Sequence, residues 1–264
     1  MMLPAIDAHA HIDVRIAPRE LSALDAVVLA VTRSMVEWRA AAARDDELTL
    51  WGLGCHPALP DVVRAFDAHV FADALKTASF VGEVGVDRRS KASVDEQVTV
   101  FAEILRAVQR TPRPVSIHST GATKIILDLL ETTPIATPIL HWWRGTHQDT
   151  LRALQLGCFF SLNGHEAASP KAIGVIPLER ILTETDFPHS GRYDASASRP
   201  AATETIERAL MGQHGLSLVE LRQLLWRNLH DVFAPALEVV PASRRVGRLL
   251  RNADSAGTHR NELV

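Results

Sequence analysis

The stretch Arg180-Ile-Leu-Thr-Glu-Thr-Asp-Phe-Pro-His189 decides our fold prediction. Its short apolar run leads to the acidic residue Asp186, and a proline two residues later blocks continuation of the strand. This pattern is typical of a buried strand that carries one carboxylate to the mouth of a fold. Several other strand-like runs also end in His, Asp or Glu. The predicted strands are residues 3–7, 26–32, 49–54, 80–84, 114–118, 138–141, 158–162 and 180–185.

Segments with helical spacing lie between most of these strands. Residues 93–110 repeat apolar side chains at steps of three and four, and Ser93 with Glu96 is a candidate capping box. Further helices are predicted at 34–44, 61–77, 120–131 and 146–156, with a closing pair at 203–212 and 216–233. Eight strands alternating with helices predict a TIM-type (β/α)8 barrel over residues 1–234. A doubly wound open sheet competes, but no Gly-x-Gly-x-x-Gly follows the first strand.

The last part of the chain, residues 235–264, is a basic tail. Its arginines are accompanied by few acidic residues. This composition suits either a short basic amphipathic helix or a solvated end, and we favour the solvated end. The arginines that suggest a helix are Arg244, Arg245, Arg248 and Arg251.

Composition narrows the class of protein. A chain of 264 residues with 47% hydrophobic content can bury a large core as one domain. A net charge of −3 gives no global basic character, although a metal centre can still attract nucleic acid locally. The two cysteines provide no disulfide framework and favour a reducing, cytoplasmic location. We expect neither a signal peptide nor a membrane span.

Histidines and carboxylates at the predicted strand ends are the candidates for chemistry. In Asp7-Ala-His-Ala-His11, strand alternation puts His9 and His11 on one side, where they can bind one cation. Asp7 is then a third ligand or orients a ligand. Glu83 lies between two glycines in an apolar strand, where an unpaired carboxylate is costly. We expect Glu83 to bridge two cations rather than to form a buried ion pair.

Two later strands end in histidine, at His118 and His141. A single strand-end histidine is usually a core residue, but two at consecutive strands indicate a second metal. Asp186 completes the set from the eighth strand. The sequence therefore predicts a pair of metal ions at the ends of the barrel strands.

His56 belongs to Gly54-Cys-His-Pro57, in which the proline favours an extended histidine and the glycine permits close approach of a ligand. We expect His56 to contact a substrate phosphate or to act as an outer metal ligand. A structural turn histidine is the alternative.

Aromatic and basic residues directly follow the sixth strand. Trp142 and Trp143 are candidates for stacking on a base, and Arg144 is a candidate for binding a phosphate. The alternative is that one or both tryptophans pack the barrel rim. His189 and Arg192, after Asp186, are similarly placed with weaker support.

In combination, these motifs resemble the TatD family of metal-dependent deoxyribonucleases, within the amidohydrolase-like barrel superfamily. The resemblance covers roughly residues 5–234. The motifs that carry it are Asp-x-His-x-His at 7–11, Gly-x-His-Pro at 54–57, Gly-Glu-Val-Gly-Val-Asp at 82–87, His118, His141 and Thr-Glu-Thr-Asp at 183–186.

The resemblance implies two divalent metal ions, magnesium, manganese or zinc. It places His9 and His11 on one metal and His118 and His141 on the other. Glu83 then lies between the metals, and Asp186 binds the first metal and orients or deprotonates the attacking water. The implied activity is phosphodiester cleavage in DNA, with exonucleolytic action on single-stranded ends as our expectation.

Some positions depart from the family pattern. Trp142-Trp143-Arg144-Gly145 stands where the family usually has Cys-Phe-Ser-Gly, and His189 replaces an apolar or aromatic residue. The tryptophan pair resembles TatD-like members of Qat-type anti-phage operons, which implies protein partners from such an operon.

Two other functions stay open at this point. A metal-dependent hydrolase of esters, lactones or amides could use the same ligands on the same barrel. A non-enzymatic, partner-binding subunit could retain the fold, although every ligand position is intact.

Overall fold

The structure is a computed structural model that describes residues 2–167, 174–189, 198–238 and 242–255. Eight parallel strands pair in chain order from β1 to β8. They are β1 (Ala5–His11), β2 (Ala26–Val31), β3 (Thr49–Leu53), β4 (Phe80–Gly85), β5 (Val115–His118), β6 (Pro138–Leu140), β7 (Phe159–Leu162) and β8 (Ile181–Thr183). The predicted (β/α)8 barrel is confirmed.

The first and last strands meet and bring the barrel to closure. Ala10 and Phe187 form an isolated parallel bridge, and the backbone N–H of His11 donates to the carbonyl of Phe187 at 2.7 Å. The Thr183 hydroxyl donates to the carbonyl of Ile6 at 2.6 Å. Because a parallel barrel aligns all carboxyl ends of its strands, residues at these ends share one face.

In the described part of the chain, helices cover the outside of the barrel. They are α1 (Pro18–Ser22), α2 (Met35–Ala41), α3 (Pro60–Arg64), α4 (Ala68–Leu75), α5 (Val94–Arg110), α6 (Thr123–Thr132), α7 (His147–Gln155), α8 (Gly164–Ala167), α9 (Glu204–His214), α10 (Leu218–Phe233) and α11 (Arg244–Ser255). The capping box expected at Ser93 and Glu96 is present at the start of α5. None of the helices described is long and apolar enough to span a bilayer.

The helix expected at 61–77 is two helices, α3 and α4. The carboxylate of Asp67 explains the break, because it accepts from the backbone N–H groups of His69 at 2.8 Å and Val70 at 3.0 Å. An aspartate that caps a new helix stabilises a separate start, and the apolar spacing runs through both helices without revealing it.

The C-terminal tail contains a packed helix, contrary to the solvated end that we favoured. In α11, Val246 and Leu250 are fully buried, and the helix packs against α10. The amphipathic alternative is therefore correct for Arg244–Ser255. The arginines form the charged face of α11, and the apolar residues between them form its buried face.

Asp7 anchors the segments after β8 instead of joining the candidate ligands. Its carboxylate accepts from the backbone N–H and the hydroxyl of Thr185, at 2.8 and 2.7 Å, and from the backbone N–H of Ala201 at 2.8 Å. Burial raises the pKa of Asp7 to about 6, so the carboxylate is ionised at pH 8. Three hydrogen bonds to this carboxylate thus hold the chain on both sides of Asp186.

We expect Asp7→Asn to lower the free energy of unfolding at pH 8 by about 2–3 kcal/mol, because the amide turns a donor toward buried donors. Urea unfolding measures the change. Asp73→Asn is the matched control, since Asp73 is an exposed partner of Lys76, and it should change stability by less than about 0.5 kcal/mol. Equal effects of the two substitutions would contradict the anchoring role.

Candidate metal centre

Five strands bring the six predicted ligands to one face of the barrel. His9 and His11 lie on β1 and Glu83 on β4, His118 ends β5, His141 follows β6 and Asp186 follows β8. All six side chains are buried or nearly so: His9 0%, His11 9%, Glu83 1%, His118 11%, His141 5% and Asp186 5% exposed. The structure therefore brings these six side chains together on one face of the barrel.

The β1 histidines face both carboxylates. His11 Nε2 lies 3.1 Å from Glu83 Oε2 and 3.6 Å from Asp186 Oδ1. His9 Nε2 lies 3.7 Å from Glu83 Oε2 and 3.8 Å from Asp186 Oδ1. The other nitrogen of His9, Nδ1, is 2.7 Å from the Ser116 hydroxyl, which directs Nε2 toward the centre.

Glu83 occupies the middle of the cluster, with its two oxygens facing different groups. Oε2 lies 3.1 Å from His11 Nε2 and 3.0 Å from His56 Nε2. Oε1 lies 2.9 Å from His141 Nε2 and contacts His118 Nδ1. A carboxylate with histidines on both sides is arranged as a bridge between two cations would be.

The described residues form three overlapping groups whose ligand atoms lie within 4.8 Å of one another. The groups are His9, Glu83 and His141; His9, His11 and Asp186; and His11, His56 and Glu83. Within the ranges described, His9 Nε2 is buried without a hydrogen-bond partner, and Glu83 Oε2 makes no well-aligned hydrogen bond although two imidazole nitrogens lie 3.0 and 3.1 Å away. Since orphaned buried polar atoms are costly, imidazole and carboxylate donors left in this state fit divalent cations.

His56 lies closer to the centre than a purely outer residue. Ala58 N–H donates to His56 Nδ1 at 3.1 Å, so Nε2 faces Glu83. Gly54 permits this path, because a Cβ there would lie 1.7 Å from the carbonyl oxygen of Thr32. His56 is thus placed for a metal ligand, one of the roles expected from the sequence.

His118 is held between two carboxylates and is a member of none of the three groups. Its Nε2 is 3.1 Å from Asp87 Oδ2, while Nδ1 faces Glu83. Asp87 also accepts from the backbone N–H of Arg89 at 2.7 Å, so it stabilises the turn as well as contacting His118. A metal at His118 would have to replace one of these contacts.

Charges in the centre compensate one another. Burial opposes ionisation of Glu83, but the charges of His56, His118 and His141 hold its pKa well below the usual value. Burial would also lower the pKa of His141, but the charge of Glu83 and the hydrogen bonds to Glu184 and Glu83 raise it well above the usual value. Without cations, protonated imidazoles supply the positive charge that this site requires.

Glu184 is a functional candidate that the sequence reasoning did not select. It is 1% exposed, and its carboxylate accepts from the backbone N–H of Trp142 at 2.8 Å and from the Ser161 hydroxyl. His141 Nδ1 lies 3.9 Å from the same carboxylate. The burial argument used for Glu83 applies equally to Glu184 and could have found it.

The residues after β6 divide between packing and exposure. Trp143 is 4% exposed, and its indole N–H donates to the Thr150 hydroxyl at 2.9 Å, as the rim-packing alternative requires. Trp142 is half-buried and Arg144 is exposed beside the centre. His189 lies with its ring 4.9 Å from that of His11, and Arg192 falls outside the described residues.

Comparisons with known proteins agree with this geometry. A family model described as TatD related DNase matches residues 6–234. An uncharacterized metal-dependent hydrolase TatD from Mycobacterium tuberculosis is 27% identical over 212 residues, which are 70% of this chain and 80% of that protein. A 3'-5' ssDNA/RNA exonuclease TatD from Cronobacter sakazakii is 30% identical over 118 residues, 41% of this chain and 45% of that protein.

The chain spans about half the length of the first curated relatives it matches, 55% and 52% of those proteins. The crystal structure of YjjV, a TatD homologue from Escherichia coli, has a TM-score of 0.74 at 21% identity and covers 89% of this chain and 99% of that one. This likeness concerns the fold. Because the family model spans most of the chain, the protein belongs to the family of TatD related DNases.

Proposed function

We propose that the protein hydrolyses phosphodiester bonds in DNA with two divalent metal ions, and that it acts as an exonuclease on single-stranded ends. The single observation that carries the proposal is the position of Glu83, whose two carboxylate oxygens face two different sets of histidines. Two-metal sites of this kind serve phosphoryl transfer in many nucleases. The names of the relatives, a metal-dependent hydrolase and an ssDNA/RNA exonuclease, support the substrate class.

We assign the metal-binding roles as follows. His9, His11, Glu83, His141 and Asp186 would hold the cations, with His56 and His118 as further ligands. Bound cations would supply Lewis-acid polarisation of the phosphate and a nucleophile at neutral pH. The imidazoles favour zinc, and the carboxylates also suit manganese or magnesium.

Asp186 is the proposed general base. Its backbone N–H donates to the carbonyl of His9 at 2.9 Å, which fixes the residue at the edge of the ligand set. In the cation-free site, burial and the charges of Glu83 and Glu184 raise the pKa of its carboxyl group well above the usual value. Bound cations would oppose this shift, so the proposed role rests on position: one carboxylate oxygen can face a cation while the other faces the attacking water.

Around the centre, Trp142 and Arg144 are the remaining candidates for contact with the substrate. Trp142 can stack on a base, and Arg144 can contact a phosphate. Trp143 has a structural role in the rim.

The tryptophan pair also leads us to place the enzyme in a cytoplasmic anti-phage system with partner proteins. Phage plating with and without Glu83→Ala in the intact operon tests this extension.

We expect Glu83→Ala to lower hydrolysis of end-labelled single-stranded DNA with Mn²⁺ by about 100-fold or more, because both sides of the cluster lose their shared ligand. Circular dichroism should show a folded variant. Glu103→Ala is the matched control, since Glu103 is an exposed helix residue paired with Arg106. Retained turnover in folded Glu83→Ala would refute the assignment, and hydrolysis of aryl esters instead of DNA would favour the ester hydrolase.

Metal affinity should rise with pH above about 6.5. The pKa values of His118 and His141 lie above the ordinary value of 6.5 in the cation-free site. These groups are therefore protonated near neutral pH and must lose protons before they bind a metal. Calorimetric titration with Mn²⁺ at pH 6.5 and 8.0, in two buffers of different ionisation enthalpy, should show proton release and tighter binding at pH 8.0. A pH-independent affinity would contradict this.

A further inference from the structure

A cleft opens directly beside the candidate metal centre, between the segment after β1 and the turn after β2. Its volume is about 380 Å³, within the range of ligand pockets. His11 forms its wall on the side of the centre, so the cleft and the metal ligands share a residue. The side chains that matter for its chemistry are Val14, Arg15, Val31, Arg33, Pro188 and His189.

Polar and apolar side chains line the cleft together. His11 and His189 lie in an edge-to-face arrangement, with ring centroids 4.9 Å apart. Val14 and Pro188 contribute apolar surface, whereas Val31 is only 2% exposed. The cleft therefore offers an apolar surface next to the candidate metal centre, which suits the flat face of a nucleobase or a deoxyribose.

Two arginines stand in the cleft with their charges already balanced. Arg33 Nε donates to Glu37 Oε1 at 2.9 Å, and the Arg33 backbone N–H donates to Glu37 Oε2 at 2.7 Å. Arg15 pairs in the same way with Asp13, at 2.6 and 3.0 Å. These carboxylates keep the guanidinium groups in place until an anion arrives.

Arg33 is the better placed of the two for a phosphate. Its carbonyl oxygen accepts from the backbone N–H of His56 at 3.0 Å, which ties the turn after β2 to a candidate metal ligand. Its side chain is 48% exposed, whereas that of Arg15 is 86% exposed. A half-buried guanidinium is more ordered, and it binds a phosphate through two parallel hydrogen bonds.

We propose that this cleft is the subsite for one nucleotide next to the scissile phosphate, with the base or sugar against Val14, Pro188 and His189 and the flanking phosphate on Arg33. The inference rests on the proposed phosphodiester hydrolysis and adds a subsite to it. Arg33 is here a binding residue for the substrate.

The test compares a substrate that fills the cleft with one that does not. We would measure kcat/KM for a single-stranded oligodeoxynucleotide and for bis(p-nitrophenyl) phosphate, which has no flanking nucleotide. Arg33→Gln and Val14→Trp should each lower the ratio of the two values by about fivefold or more, with a higher KM for the oligonucleotide. Arg106→Gln, which removes an exposed arginine paired with Glu103, is the matched control and should leave the ratio unchanged.

The Val14→Trp variant fills the cleft without removing charge, so agreement between the two variants separates occupancy from electrostatics. An abasic site provides a second readout: the bond on one side of the missing base should be cleaved more slowly than the bond on the other. An unchanged ratio in both folded variants would overturn the subsite while leaving the hydrolase proposal intact. If the metal-loaded wild type hydrolysed neither of the two substrates, this result would refute the hydrolase proposal instead.

Discussion

The charge of Glu83 is the constraint on which the centre depends. An ionised carboxylate that is 1% exposed must be compensated within contact distance, because its hydration is lost. Four histidines surround it, two at each oxygen. Protons on imidazoles or divalent cations can provide the compensation, and these two states exclude each other at the same nitrogen atoms.

Closure of the barrel and assembly of the centre use the same hydrogen bonds. Asp186 is fixed by its N–H to the carbonyl of His9, and the carbonyl of Phe187 accepts from His11 N–H. Asp7 holds Thr185, one residue before Asp186. A cation that joins Asp186 to the β1 histidines would therefore also clamp the last strand to the first. Because such a site is absent from the unfolded chain, its binding energy contributes to folding.

Strand ends were the most predictable part of the molecule. A parallel barrel sends every carboxyl end to one face, so short apolar runs that finish in His, Glu or Asp identify the face and its residues without coordinates. The same rule does not determine which of the side chains at the centre contact one another. His118 ends a strand and His56 follows one, yet His118 is shared between Glu83 and Asp87, whereas His56 joins the group of His11. That choice depends on ring rotation and local turns.

Ligand identity alone does not separate a phosphodiesterase from an esterase on this fold, because both chemistries use imidazole and carboxylate donors. The surroundings carry the difference. An ester substrate needs an apolar pocket, whereas a nucleic acid needs cationic groups at the spacing of successive phosphates. The cleft beside His11 has apolar side chains together with Arg33 and Arg15, each held by its own carboxylate. If the centre binds a phosphate as we propose, a flanking phosphate would compete with Glu37 for Arg33. This competition would favour a polymeric anion that is already bound at the centre over a small free one.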